Sequence, residues 1–368
     1  MSSTTPVPER PRQHVGLPRI ALTRAASPFG TLLAEQLASA GDRIVGLDTR
    51  AGRAGDVDWR PGDISAPTVV AALDDVEVLI HLAWDPNLAA ALAEPPAARR
   101  TRVRTEVRTL VTAAAAAGVG QLVLVTSTMV LGARPDNPVP LPEDSPLRAP
   151  EQEGLVADLV AAEDELAALA PLYPALRVAV VRPAALVGPG VDTMITRHFE
   201  APRLLALKGT APLWSFCHAE DLASALQTVV HEGLTGELSV GAWGALTLAE
   251  VEEISGMRRI EVSEVTAYAT AERLHRLGVV PVPATDLAYI AHPWVSEPHR
   301  LAGYGWFPVY DNAACLSVLL EGVRGHHALM ARRVRSRDAV GAAAAGAASA
   351  AVAIIATAAL MRRRRHRD

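Results

Sequence analysis

Short apolar runs alternate with longer helical patterns through the first half of the chain, and this alternation limits the fold more than any other feature. The runs are Pro18–Thr23, Arg43–Leu47, Val76–Leu82, Gln121–Val125 and Arg177–Val181. Helical periodicity falls between them at Thr31–Ala40, Val103–Ala117 and Leu155–Leu169, and Gly41 and Gly118 supply the residue type that closes a helix in a left-handed turn. Strands separated by helices of this length form βαβ units, so the sheet is expected to be parallel, with right-handed crossovers and helices on both faces. The expected class is α/β, a Rossmann-type doubly wound parallel sheet.

Past Gly190 the alternation weakens. Arg197–Ala206, Asp221–Glu232, Leu248–Ile254 and Ala269–Leu277 read as helices with short strands between them, and 281–308, rich in Pro and aromatics, reads as loop. The expected organisation is a disordered segment over 1–16, a Rossmann domain over 17–190, a smaller α+β substrate lobe over 191–330 and a basic, Ala-rich helical tail over 331–368. Half of the 368 residues are hydrophobic, enough to bury a large core and to argue against general disorder. Two distant cysteines, Cys217 and Cys315, read as reduced residues of a cytoplasmic protein and are in no metal-ligand spacing.

The tail has its own character. Residues 339–361 carry no charge and are bracketed by Arg332–Arg337 and Arg362–Arg367. That length suffices for a membrane-spanning helix, although its many alanines are near neutral for insertion. A membrane anchor and a plain Ala-rich extension both remain open. Nucleic acid is the weakest partner reading, because the rest of the chain is acidic and has no recognition motif.

The turn after the first run is where a dinucleotide would sit. In a Rossmann site, glycines allow a tight turn, a close approach of pyrophosphate and a close helix–strand contact, and the helix N-terminus holds the phosphates. Here the turn reads Thr23-Arg24-Ala25-Ala26-Ser27-Pro28-Phe29-Gly30, with Arg24 and Ser27 at the first two glycine positions and only Gly30 kept. Pro28 removes a backbone donor but suits the first turn of a helix. Asp48 closes the second run, where a carboxylate can accept from both ribose hydroxyls and so favours NAD over NADP. Two readings of Asp48 stay open, ribose ligand or start of a polar turn, and Arg24 either pairs with phosphate or points to solvent.

Several further segments occur in order. Trp59–Ser65 contains Gly-Asp-Ile, His81-Leu82-Ala83 ends the third run, Thr126–Gly132 follows the fourth, and Arg182-Pro183 leads to Val187-Gly188-Pro189-Gly190. Trp214–Ala223 and Leu301–Pro308 complete the set. With these segments the chain resembles the NAD-dependent epimerase/dehydratase family, the extended short-chain dehydrogenases, from about Ile20 to Gly322. The resemblance implies that Asp63 and Ile64 meet the adenine, that Ala83 and Pro183 lie beside the cofactor along with Thr23, Arg24, Phe29, Gly30 and Asp48, and that Ser127 is the family's catalytic serine. It also implies nucleotide-sugar ligands and a homodimer paired through the two long Rossmann helices.

The family's Tyr-x-x-x-Lys pair, which handles the substrate proton, is missing. Aligned on Glu163, the helix carries Leu155 at the tyrosine position and Leu159 at the lysine position, and leucine neither donates nor accepts a proton. Tyr173 and Arg177 are four apart, but Pro174 separates them from a common helical face, and Lys208, the sole lysine, lies in the other lobe. Glu151, Glu153, Asp158 and His218 are the remaining acid–base candidates; helix-start carboxylates and a satisfied histidine are the plainer readings. The sequence therefore points first to an NAD-binding protein acting as a binding or regulatory module. An active epimerase/dehydratase or reductase with another acid/base, and a ligand-free scaffold, are its rivals.

Overall fold

The computed structural model describes residues 17–149, 154–277 and 282–333. Seven strands form one parallel sheet: β1 (Arg19–Thr23), β2 (Arg43–Asp48), β3 (Val57–Pro61), β4 (Val78–Leu82), β5 (Gln121–Val125), β6 (Arg177–Pro183) and β7 (Gly236–Val240), in spatial order β7-β6-β5-β4-β1-β2-β3. All residues of β4 and β5 are buried, the pattern of strands covered on both faces. The order reverses between β1 and β4, which opens a crevice at the strands' carboxyl ends.

Four long helices cover the sheet. On one face α1 (Pro28–Ser39) packs against α4 (Ala219–His231), and on the other α2 (Pro96–Ala117) packs against α3 (Leu155–Leu169). Leu33 and Leu37 of α1 and Leu110 of α2 are wholly buried, each stabilising the fold by roughly 1.5–3 kcal/mol. α1 begins on Ser27, whose hydroxyl accepts the Gly30 N–H at 3.0 Å, with Pro28 at the first helical position. α2 ends on Gly118 at φ 77°, as its glycine suggests.

The smaller lobe is built from three two-stranded pairings: 185–187 with 216–218, 213–214 with 246–247, and 204–207 with 259–262. The helix expected over 197–206 is instead a short helix, Met194–His198, followed by the strand Leu204–Leu207. Thr193 and Thr196 cap each other reciprocally and start the helix early, and Pro202 then prevents its continuation. The expected loop past residue 281 contains a 3₁₀ helix, Ala284–Ile290, and a helical turn, His299–Ala302. A helix over Asn312–Arg333, unforeseen from periodicity, is pinned to the lobe by Asn312, which accepts from Phe216 N–H and donates to the carbonyls of Trp243 and Gly244. The segments 1–16 and 339–361, and the candidates Glu151 and Glu153, lie outside the described residues. Among the described residues no helix is long and apolar enough to cross a membrane.

Candidate functional site

The crevice holds two adjoining recesses. The first, polar, lies over the β1–α1 turn and the ends of β2 and β3, and is lined by Ser27, Asp48, Arg50, Asp63 and Ile64. Arg24 takes a left-handed conformation at φ 55°, and a Cβ on Gly30 would collide with the Arg24 carbonyl oxygen, so the third glycine position admits no side chain. Asp48 braces the turn by accepting the Ala26 N–H at 3.1 Å and the Thr49 N–H at 2.7 Å. The Asp63 carboxylate accepts from the Ser65 hydroxyl and N–H, and these bonds hold its pKa below the ordinary value.

This turn has few donors left for a phosphate. The Ala26 N–H is taken by Asp48, the Gly30 N–H by Ser27, and Pro28 has none, which leaves the first-turn N–H of Phe29. Positive charge compensates. Arg24 and Arg102 line both recesses, and each reaches Glu106, at 2.7 and 2.9 Å. The residues thus fit a dinucleotide: acids at the ribose end, one helix N–H and two guanidinium groups at the phosphate position. Two loop positions serve the core instead. The Phe29 side chain is buried among the α1 and α4 apolar residues. Thr23 is buried, where its hydroxyl accepts the Leu82 N–H and bonds His81 Nδ1, tying β1 to β4. Burial and the charges of Arg24 and Arg102 keep His81 neutral.

The second recess is an apolar cleft. Ser127, Leu155 and Leu159 all line it, together with Ala83, Trp84 and Met129. Residues 155, 159 and 163 share one helical face, and a buried cluster fixes that face: Glu163 is paired with Arg182 at 2.6 Å and accepts the Thr126 hydroxyl at 2.6 Å. Among the described residues lining the cleft there is no tyrosine and no lysine. Ser127 caps a 3₁₀ turn, accepting the Met129 N–H, and its hydroxyl reaches the Pro183 carbonyl at 3.4 Å. Pro183 itself contributes that carbonyl, while the cleft wall is made by the next residues, Ala184–Leu186.

Neither of the two acid–base candidates among the described residues is free within the cleft. Asp158 lies in its wall but is locked between Arg99 and Arg100. His218 caps α4 through the Glu220 N–H and stacks on Tyr310 at 3.8 Å, away from the cleft wall. A group overlooked in the sequence is Asp85. It lines both recesses, its Oδ1 is buried with no hydrogen-bond partner, and burial pushes its carboxyl above the ordinary value, Asp48 adding to the shift and Arg24 opposing it. The available signal was an acid two residues past the His-Leu-Ala strand end.

A small cavity lies behind Leu155 and Arg99, which line it and the cleft alike. Asp286 borders it with Oδ2 unpartnered, and burial pushes this carboxyl up to about 8.

The family model described as NAD dependent epimerase/dehydratase matches residues 23–241. A Mycobacterium tuberculosis protein described as uncharacterized is 24% identical over 345 residues, 90% of this chain and 92% of that one. The structure of UDP-glucose 4-epimerase with UDP-glucose from Thermotoga maritima superposes with a TM-score of 0.63 at 14% identity, covering 84% of this chain and 99% of its own. The Thermus thermophilus UDP-glucose 4-epimerase complex with NAD does so at 0.62 and 19% identity, covering 83% and 99%.

Proposed function

This chain belongs to the NAD dependent epimerase/dehydratase family, and from that premise we propose that it binds an NAD-type dinucleotide without the family's tyrosine–lysine proton transfer, as a binding or regulatory module. One observation carries the reading. At the two α3 positions where the resemblance expects that pair, the side chains lining the cleft with Ser127 are Leu155 and Leu159. A serine with no base beside it orients a ligand but is not activated.

The dinucleotide half is supported by the polar recess and by the NAD-complexed neighbour. Asp48 would hold the adenosine ribose, Asp63 and Ile64 would border the adenine, and Phe29 N–H with Arg24 and Arg102 would face the pyrophosphate. The nicotinamide supplies hydride chemistry when bound; what this chain adds at that end is an apolar wall that excludes water. The Asp48 carboxylate disfavours an extra phosphate on the ribose, so NAD is preferred over NADP.

Titration calorimetry of the full chain with NAD, NADH and NADP tests this. The expected result is saturable NAD or NADH binding that weakens about 10- to 100-fold in Asp48→Ala, the size of a lost hydrogen bond to a charged group. Absence of binding by all three dinucleotides would leave a scaffold. A second reading, a working enzyme with another proton carrier, draws on Asp85, the raised carboxyl between the recesses. Turnover of UDP-glucose that disappears in Asp85→Asn would favour it.

A further inference from the structure

Sugar hydroxyls need hydrogen-bond partners, and the polar side chains of the apolar cleft already bond to neighbouring protein groups. Arg99 and Asp158 hold each other and Asp192 holds Arg197, while Arg24 and Arg102, at the border with the polar recess, hold Glu106. The Ser127 hydroxyl takes the Met129 N–H, the Thr193 hydroxyl takes the Thr196 N–H, and Trp84 donates its ring N–H to the Thr126 carbonyl. Among the described residues lining the cleft, Asp85 alone has a buried side-chain atom, Oδ1, with no hydrogen-bond partner. Around it the wall is hydrocarbon: Leu88, Met129, Leu155, Leu159, Leu186 and Ile195.

We infer that this half of the cleft takes a mostly hydrocarbon ligand carrying one hydroxyl or amine, seated on Asp85, and not a nucleotide sugar. This rests on the reading of the crevice as a joint dinucleotide and ligand site, and it specifies the ligand. Apolar area gains by leaving water, whereas each buried sugar hydroxyl without a partner loses its hydration. A single donor on a carboxylate makes one charge-assisted hydrogen bond and removes the orphan. A ribose hydroxyl of the dinucleotide is the other possible source of that donor, and the experiment separates the two.

The full chain, free of dinucleotide, is titrated with decanol, with decyl methyl ether, which lacks the donor, and with UDP-glucose. Decanol is expected to bind saturably and the ether about tenfold more weakly, one hydrogen bond's worth. That gap closes in Asp85→Ala and persists in Asp85→Asn, whose amide oxygen still accepts. Leu155→Trp, which fills the cleft, abolishes binding of both probes. Equal binding of decanol and ether to the unaltered chain, tighter binding of UDP-glucose than of decanol, or decanol binding that survives Leu155→Trp would each overturn the inference. So would an Asp85→Ala chain that loses NAD affinity while keeping the decanol–ether gap, since the ribose would then be the donor. Because the probes are titrated without dinucleotide, the expected decanol pattern in a chain that binds no NAD would sink the cofactor reading alone.

Discussion

The two recesses share one crevice and one framework, but their side chains have different occupations. In the polar recess the carboxylates of Asp48 and Asp63 are bonded to nearby turn atoms and still border open space. In the apolar cleft the charged wall residues other than Asp85 are held in ion pairs, and leucines stand on the face of α3. The dividing line runs through single elements. Residues 155, 159 and 163 lie on one helical face, yet only Glu163, bonded to Arg182 and Thr126, matches the family pattern. Side chains that hold the sheet together are therefore separable from those that line the cleft, so one framework can carry different sites.

If the framework is common to both recesses, breaking it should have the largest effect. Glu163→Ala strands the Arg182 guanidinium, only 5% exposed, and is expected to cost about 3–5 kcal/mol in urea denaturation. A loss under about 1 kcal/mol would mean that Glu163 is not what positions α3.

A pH series sharpens the contrast between the two ends. Asp286, behind the apolar cleft, titrates in the fold at about 8 against 3.8 for a free carboxyl, through burial, with Arg99 opposing and Asp158 adding. His275, Tyr268 and Tyr289 also surround it. The folded state holds this proton more tightly than the unfolded chain. Its contribution is therefore complete below about pH 4 and is lost as pH rises through about 8, on the order of a few kcal/mol. Asp286→Asn should flatten that decline, as read from urea midpoints across the range. Asp63, at the polar end, has a lowered pKa, so its contribution has the opposite sign and is lost on acidification. Buried His198, pushed down to about 4, also destabilises the fold as pH falls from 6.5, so the comparison is made between variant and unaltered chain at each pH.

The smallest effect is expected at Ser127. Ser127→Ala removes a 3₁₀ cap and one long hydrogen bond, about 1 kcal/mol of stability, and should leave NAD affinity within about twofold. A large loss of NAD affinity would extend the polar recess's chemistry into the apolar one.

The parallel sheet was legible because β4 and β5 are unbroken apolar runs and because helix-ending glycines separate the units. Helix Leu155–Leu169 has the bounds its periodicity indicates. β3 was missed because Val57–Pro61 is an edge strand with exposed Asp58, and its composition reads as a turn. Lobe elements were the least legible, since strands of two to four residues carry too little pattern to show a period. At the site, Leu155 and Leu159 could be lined up from Glu163, and Ser127 from the Thr126–Gly132 segment. The commitment of Asp158 to Arg99 and Arg100, and the lack of any partner for Asp85 Oδ1, depend on contacts between residues distant in the chain, which spacing does not encode.

The β1–α1 turn also shows what its backbone tolerates. Its first glycine position holds Arg24 at φ 55°, a strain of roughly 1–2 kcal/mol, and its second holds a serine that caps α1. Its third position is closed to any side chain by the Arg24 carbonyl. A side chain is thus accommodated where it finds a partner and excluded where it does not. Arg24→Gly would relieve the strain but cut the tie to Glu106, and Ser27→Gly would uncap the helix. Each single change to the glycine pattern forfeits a bond that the present loop relies on.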